Sequence, residues 1–138
     1  MTTLVDHYLN IAGGKNRYMT LFPDNGVWTE DVVCPLNKRL VIFRIVAANR
    51  AGGTAVELSL ALAERNDAAG VNTDTDRIEI FSGTDDHGFM STTNFIRPMT
   101  MYLHGCPIIG KKNQSLYALT RSATNAPTCH VHYVEIPA

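Results

Sequence analysis

The chain has 138 residues, 12 Lys plus Arg against 13 Asp plus Glu for a net charge of −1, and a hydrophobic share of 45%. At roughly 150 residues per domain this leaves room for one domain, or one domain with an arm, and the apolar share excludes wholesale disorder. The near-neutral balance argues against a dedicated nucleic-acid binder, and the charged share of 18% lies below the usual quarter.

Residues 1–30 read differently from the rest. Leu4, Val5, Tyr8 and Ile11-Ala12 recur at helical spacing, Thr2 or Thr3 can cap, and Gly13-Gly14 would stop a helix. The segment predicts either a short helix or an extended arm. Tyr18, Leu21, Phe22 and Trp28 follow, broken by the turn signal Pro23-Asp24-Asn25-Gly26.

From Asp31 onward the pattern is that of strands. Arg39 to Ala48 is β-branched and aromatic, apolar on both faces and interrupted by Arg44, as in a central strand. After the turn Asn49 to Gly53, the stretch Thr54 to Glu64 is rich in helix formers, yet Val56, Leu58, Leu60 and Leu62 alternate strictly with Glu57, Ser59, Ala61 and Ala63. A helix would scatter those four apolar side chains around its circumference, so period 2 predicts a strand. Arg65 to Asp76 is a polar loop, Arg77 to Phe81 a short strand, and Ser82 to Gly88 another loop. Asn94 to Leu103 is strand-like but holds Pro98, which points to an edge, a bulge or a break. Ser115 to Arg121 and Thr128 to Ile136 are the last strands. Six to eight short strands with Gly and Pro turns predict an all-β fold, an antiparallel β-sandwich or jelly roll over residues 31–138, preceded by the arm or helix of residues 1–30.

Each candidate for chemistry fails on spacing. His130 and His132 share one face of the last strand and can chelate a metal, but a third ligand from His104, His87 or a carboxylate is not fixed. Cys129, Val131 and Tyr133 form the opposite, core-like face. His104-Gly105-Cys106-Pro107 puts a thiol near an imidazole without establishing a cleft. Asn72 to Asp76 resembles the start of a calcium loop, but Arg77 and Gly83 stand where an EF-hand needs Gly and Glu. Asp74, Asp76, Asp85 and Asp86 keep a looser calcium site open. Gly13-Gly14-Lys15 lacks the rest of a P-loop. Three widely spaced cysteines, Cys34, Cys106 and Cys129, suit buried free thiols better than a disulfide framework. The longest aliphatic run, Leu40 to Phe43, is far short of a membrane span, and the first residues show no secretory signal. No catalytic, metal or cofactor site is therefore expected.

One ordering of segments resembles a known group. Cys34-Pro35-Leu36-Asn37 leads into the strand Lys38 to Ile45. Ala47-Ala48-Asn49 and a Gly turn precede the alternating strand Thr54 to Leu60. Pro107-Ile108-Ile109-Gly110, Gln114 to Ala118 and Cys129 to Ile136 follow. This order is similar to the small β-sandwich virion proteins of tailed bacteriophages, which include capsid decoration (cement) proteins and small tail or neck proteins. The resemblance covers about residues 32–136 and brings no catalytic motif with it. It implies a structural virion protein, assembled in the host cytoplasm, that binds the major capsid protein or other virion subunits, commonly as a trimer. It implies no enzyme activity, nucleic-acid partner or membrane. Within that picture Leu4, Val5, Tyr8, Leu9, Phe22 and Trp28 are the candidate interface anchors of the arm. Phe22 and Trp28 could equally cap the sandwich. Two further readings stay open. One is a tail-fibre sandwich binding a receptor or carbohydrate, favoured if Trp28 and the tyrosines cluster exposed at one end. The other is a metal-dependent jelly-roll enzyme using His130, His132 and His104.

Overall fold

A computed structural model describes residues 4–10, 15–21, 28–48, 57–65, 77–84, 99–103, 105–120 and 128–138. Among the described residues one helix, α1 (Leu4–Asn10), precedes nine strands: β1 (Lys15–Leu21), β2 (Thr29–Val32), β3 (Lys38–Ala48), β4 (Glu57–Glu64), β5 (Ile78–Thr84), β6 (Met99–Tyr102), β7 (Ile108–Ile109), β8 (Gln114–Thr120) and β9 (Thr128–Pro137). They form a five-stranded sheet in the order β1-β9-β3-β6, with β7 also on β3, and a four-stranded sheet in the order β2-β8-β4-β5.

The pairing has a simple logic. β1 pairs with β9, β2 with β8, β3 with β6 and β4 with β5, all antiparallel. These are the rungs of one long hairpin, and successive rungs fall in alternate sheets. Pairings of β3 with β9 and of β4 with β8 then close each sheet. A long hairpin rolled up this way is a jelly roll, so the expected all-β sandwich is what the chain builds.

The sequence division at residue 30 cuts into this roll. Lys15 to Leu21, read as part of an arm, is β1, hydrogen-bonded to β9 along its whole length from Lys15–Glu135 to Leu21–Cys129. Its residues do not alternate in hydropathy, so period 2 does not reveal it, and β9 supplies the ladder that makes it a strand. β2 likewise begins at Thr29, and β5 runs on through Ser82-Gly83-Thr84, which the sequence assigns to a loop. Only α1 matches the short helix expected before the sandwich. Of the segment Asn94 to Leu103, the described strand is Met99–Tyr102, at an edge as Pro98 suggested. The predicted turn at 49–53 and the loop over 66–76 lie outside the described residues.

Between the sheets lies the main core. Its buried members include Leu40, Ile42, Ile45, Leu58, Leu60, Leu62, Leu116, Val131 and Tyr133. Each aliphatic side chain taken out of water here is worth about 1.5–3 kcal/mol, so this layer dominates stability. A register shift on β3 decides its composition. Ile42 pairs with Tyr133 and Arg44 with His132, leaving Phe43 as an extra residue. Unbroken alternation from Leu40 and Ile42 would aim Arg44 into the core. The bulge turns Arg44 outward and brings Ile45 and Ala47 inward. The carbonyl of Phe43 is not orphaned, because Leu103 N–H donates to it at 2.7 Å.

One end of the roll is braced by two matched turns. Lys38 N–H closes a turn onto the Pro35 carbonyl, and Gln114 N–H closes another onto Lys111. Asn37 and Asn113 hold the second central position of each with φ of 63° and 62°, the left-handed conformation a type II turn requires there. Asn is the side chain that tolerates it best after Gly, and it adds a bond: Asn37 N–H donates to Asn113 Oδ1 at 2.7 Å.

Candidate interaction surface

Both sheets have an outer face that the sequence leaves partly apolar, and each is covered differently. On the four-stranded sheet, Leu58, Leu60 and Leu62 of β4 enter the core, as the alternation predicted. The opposite residues Ser59, Ala61 and Ala63 are also buried, and so is every residue of β8. Small side chains therefore mark a covered outer face, not a solvated one. Trp28 directly precedes β2 and Arg77 directly precedes β5, the two edges of this sheet. The Arg77 guanidinium nevertheless sits 4.5 Å from the centre of the Trp28 ring. This ring contact joins the segments that lead into the two edge strands. Tyr117 locks the same sheet by donating its hydroxyl to the Glu64 carbonyl at 2.8 Å.

On the five-stranded sheet, the outer face carries a second apolar cluster, Val41, Phe43, Val134 and Ile136, distinct from the main core. Tyr8 of α1 packs against it, with its ring edge-on to Phe43 at 5.9 Å between centroids. Phe43 also lies 5.7 Å from the ring of His132, and His7 stacks edge-on against Tyr8. Helix α1 thus acts as a strap over β3 and β9. Beside it, Tyr102 on β6 and Ile109 on β7 stay exposed, as do Val33 and Leu36 near the braced turns.

The sequence-level candidates distribute as follows. Tyr8 is half-buried on the chain's own sheet and Trp28 is half-buried under Arg77. Leu4, Val5 and Leu9 lie in α1, but their side chains are outside the described residues, as is all of Phe22. His132, expected on the solvent or interface side of its strand, is buried, with the Phe43 ring 5.7 Å away on that side; His130 is half-buried. His104, His87, Asp74, Asp76, Asp85 and Asp86 lie outside the described residues. Among the described residues no group of three or more His, Cys, Asp or Glu could hold a metal ion. Phe43, Val41, Val134 and Ile136 were not singled out by sequence. The signal available was the doubly apolar β3 pattern, which requires a cover on its second face.

The thiols divide by position. Cys34 and Cys129 are buried, whereas Cys106 is exposed, contrary to the expectation of three buried thiols. Cys106 follows Gly105 in a bend at the sheet edge, where no second layer covers it. Burial, aided by Asp31, pushes the Cys129 thiol up to about 12, and burial followed by Glu135 pushes Cys34 up to about 11. Both are therefore held as neutral thiols, unsuited to act as nucleophiles near neutrality. Cys34 is instead structural: its N–H donates to Ser115 Oγ at 2.9 Å, its carbonyl accepts from the Arg65 guanidinium at 3.0 Å, and its thiol donates to the Lys38 carbonyl at 3.3 Å.

Among the described residues no helix is long and apolar enough to cross a membrane. No protein-family model and no curated protein matches the chain. Among solved structures, the chain is similar to VP2 of the infectious bursal disease virus subviral particle, with 10% identity and a TM-score of 0.36, over 90% of this chain and 33% of that one. The chain spans about a third of that protein's length.

Proposed function

We propose that the chain is a structural subunit of a virion, and within that class a capsid decoration (cement) protein that binds the head lattice without catalysis. The observation that carries this reading is the jelly-roll order β1-β9-β3-β6 over β2-β8-β4-β5, an architecture that recurs in viral capsid and lectin domains. Fold alone does not assign a task. Two features favour the virion over the lectin. The ordered segments over residues 32–136 resemble small phage virion proteins. A carbohydrate platform would also need a cluster of open aromatics, yet the Trp28 ring is taken up by Arg77, Tyr8, Tyr117 and Tyr133 are at least half-buried, and Tyr102 is the exposed aromatic among the described residues. The exposed Val33, Leu36, Tyr102 and Ile109 supply apolar contact points for neighbouring subunits. In this role function is summed binding energy: many weak contacts, repeated by symmetry, resist separation of the shell. Trimeric association is part of the proposal.

Immuno-gold labelling of purified particles tests the assignment. Regularly spaced label on the head surface is the expected result. Absence of the protein from washed particles, or label confined to the tail, would refute the decoration role. Light scattering on the purified chain tests the trimer separately.

A further inference from the structure

We infer that the outer face of the five-stranded sheet is an exchange site for helix α1, able to take this helix from a second copy of the chain in place of its own. The site is Val41, Phe43, Val134 and Ile136, and the ligand is the Tyr8 face of α1. The inference goes beyond the virion reading and holds for any situation that brings copies together.

Four observations lead to it. First, the cluster under α1 is separate from the interlayer core, so lifting the helix leaves the packing between the sheets intact. Second, α1 has seven residues, well short of the roughly 12–15 at which a free helix becomes marginally stable, so it is helical because it is docked. Third, the chain after the helix is anchored independently. β1 pairs with β9 from Lys15 to Leu21, and Arg17 lies 3.9 Å from Glu135, so release need not propagate past Lys15. Fourth, the four residues between Asn10 and Lys15 include Gly13 and Gly14, the residue type least restricted in backbone direction. Five Cα steps reach at most ~19 Å, so the helix can leave its own sheet while β1 stays paired.

Exchange of identical elements preserves every contact, so the balance between the two arrangements turns on the entropy of association. In dilute solution the helix closes on its own sheet. Where copies are held at millimolar effective concentration, the same contact tethers neighbours. The face thereby becomes a linkage between copies without any new interface being evolved.

The full chain provides the test. Tyr8 is replaced by the photo-cross-linking analogue p-benzoylphenylalanine, in one isotopically light and one heavy preparation, and the two are mixed before irradiation. Cross-links from position 8 to peptides of β3 or β9 should be within single chains in dilute samples. On concentration and incubation, light–heavy products on the same peptides should rise toward the level of random pairing. Cross-links that stay within one chain at millimolar concentration, or that miss β3 and β9 altogether, would overturn the inference. The measurement uses purified chain alone, so its failure leaves the virion assignment to be decided by particle labelling.

Discussion

The two outer faces of the sandwich meet one requirement in opposite ways. The four-stranded sheet buries the small Ser59, Ala61 and Ala63 of its central strand β4, and the segments leading into its two edge strands meet through Trp28 and Arg77. The five-stranded sheet keeps Val41, Phe43, Val134 and Ile136 large and borrows a cover, helix α1, from outside the roll. Side chains that belong to the strands of a sheet cannot leave it without disturbing the ladder. A face closed by a separate segment can be opened, and that difference makes the second the surface for exchange between copies.

The largest effect should come from removing the bulged Phe43, which is fully buried and supports both α1 and the β3 bend. Phe43→Ala should cost about 3–5 kcal/mol in urea unfolding; a cost under about 1 kcal/mol would show that the strap covers nothing of value. Overfilling tests the other face. Ala61→Leu, which adds bulk where small residues are packed, should cost about 1–3 kcal/mol, and a neutral result would mean that this face is open.

Alkali should attack the layer between the faces. Cys34, Cys129 and Tyr133 all belong to the interlayer core, and burial raises each of them. Their folded-state values lie above the unfolded ones, so the folded chain holds these protons more tightly. The stability they contribute is complete below the ordinary thiol value of 9.0 and is lost as pH climbs toward about 12. Tm should therefore drop by several degrees between pH 9 and 11. A flat profile across that range would contradict the burial of the two thiols.

Smaller effects separate the two covers. Tyr8→Ala should cost about 1 kcal/mol, from half-buried aromatic area, while leaving the near-ultraviolet signature of the core unchanged. Loss of that signature would mean that α1 belongs to the core after all. Arg77→Ala should cost least, about 0.5–1 kcal/mol for the cation–π contact, and should alter the fluorescence of Trp28, the single tryptophan. Unchanged emission would refute the contact between the two side chains.

Much of this was legible in the chain itself. The alternation Leu58, Leu60, Leu62 announced a strand despite its helix-forming residues, because period 2 reports which side chains face the core. Cys129, Val131 and Tyr133 were rightly placed inward. The reading missed β1, whose residues carry no alternation, and alternation left open what the face of Ser59, Ala61 and Ala63 meets. Small residues look alike whether they meet water or close packing. Of the candidate anchors, Tyr8 and Trp28 were chosen by type and position, and the contacts they make are within the chain, to Phe43 and Arg77, 35 and 49 residues further along.

Local periodicity and turn chemistry thus determined the long strands after residue 38 and the all-β class, since each depends on neighbours in sequence. The tertiary structure alone decided the rolled pairing of β1 with β9, the bulge that turns Arg44 out and Ile45 in, and which segment covers which face. Those outcomes rest on which distant strands share a ladder. No local pattern records that choice, because the hydrogen-bonding edge of one strand is chemically the same as that of any other.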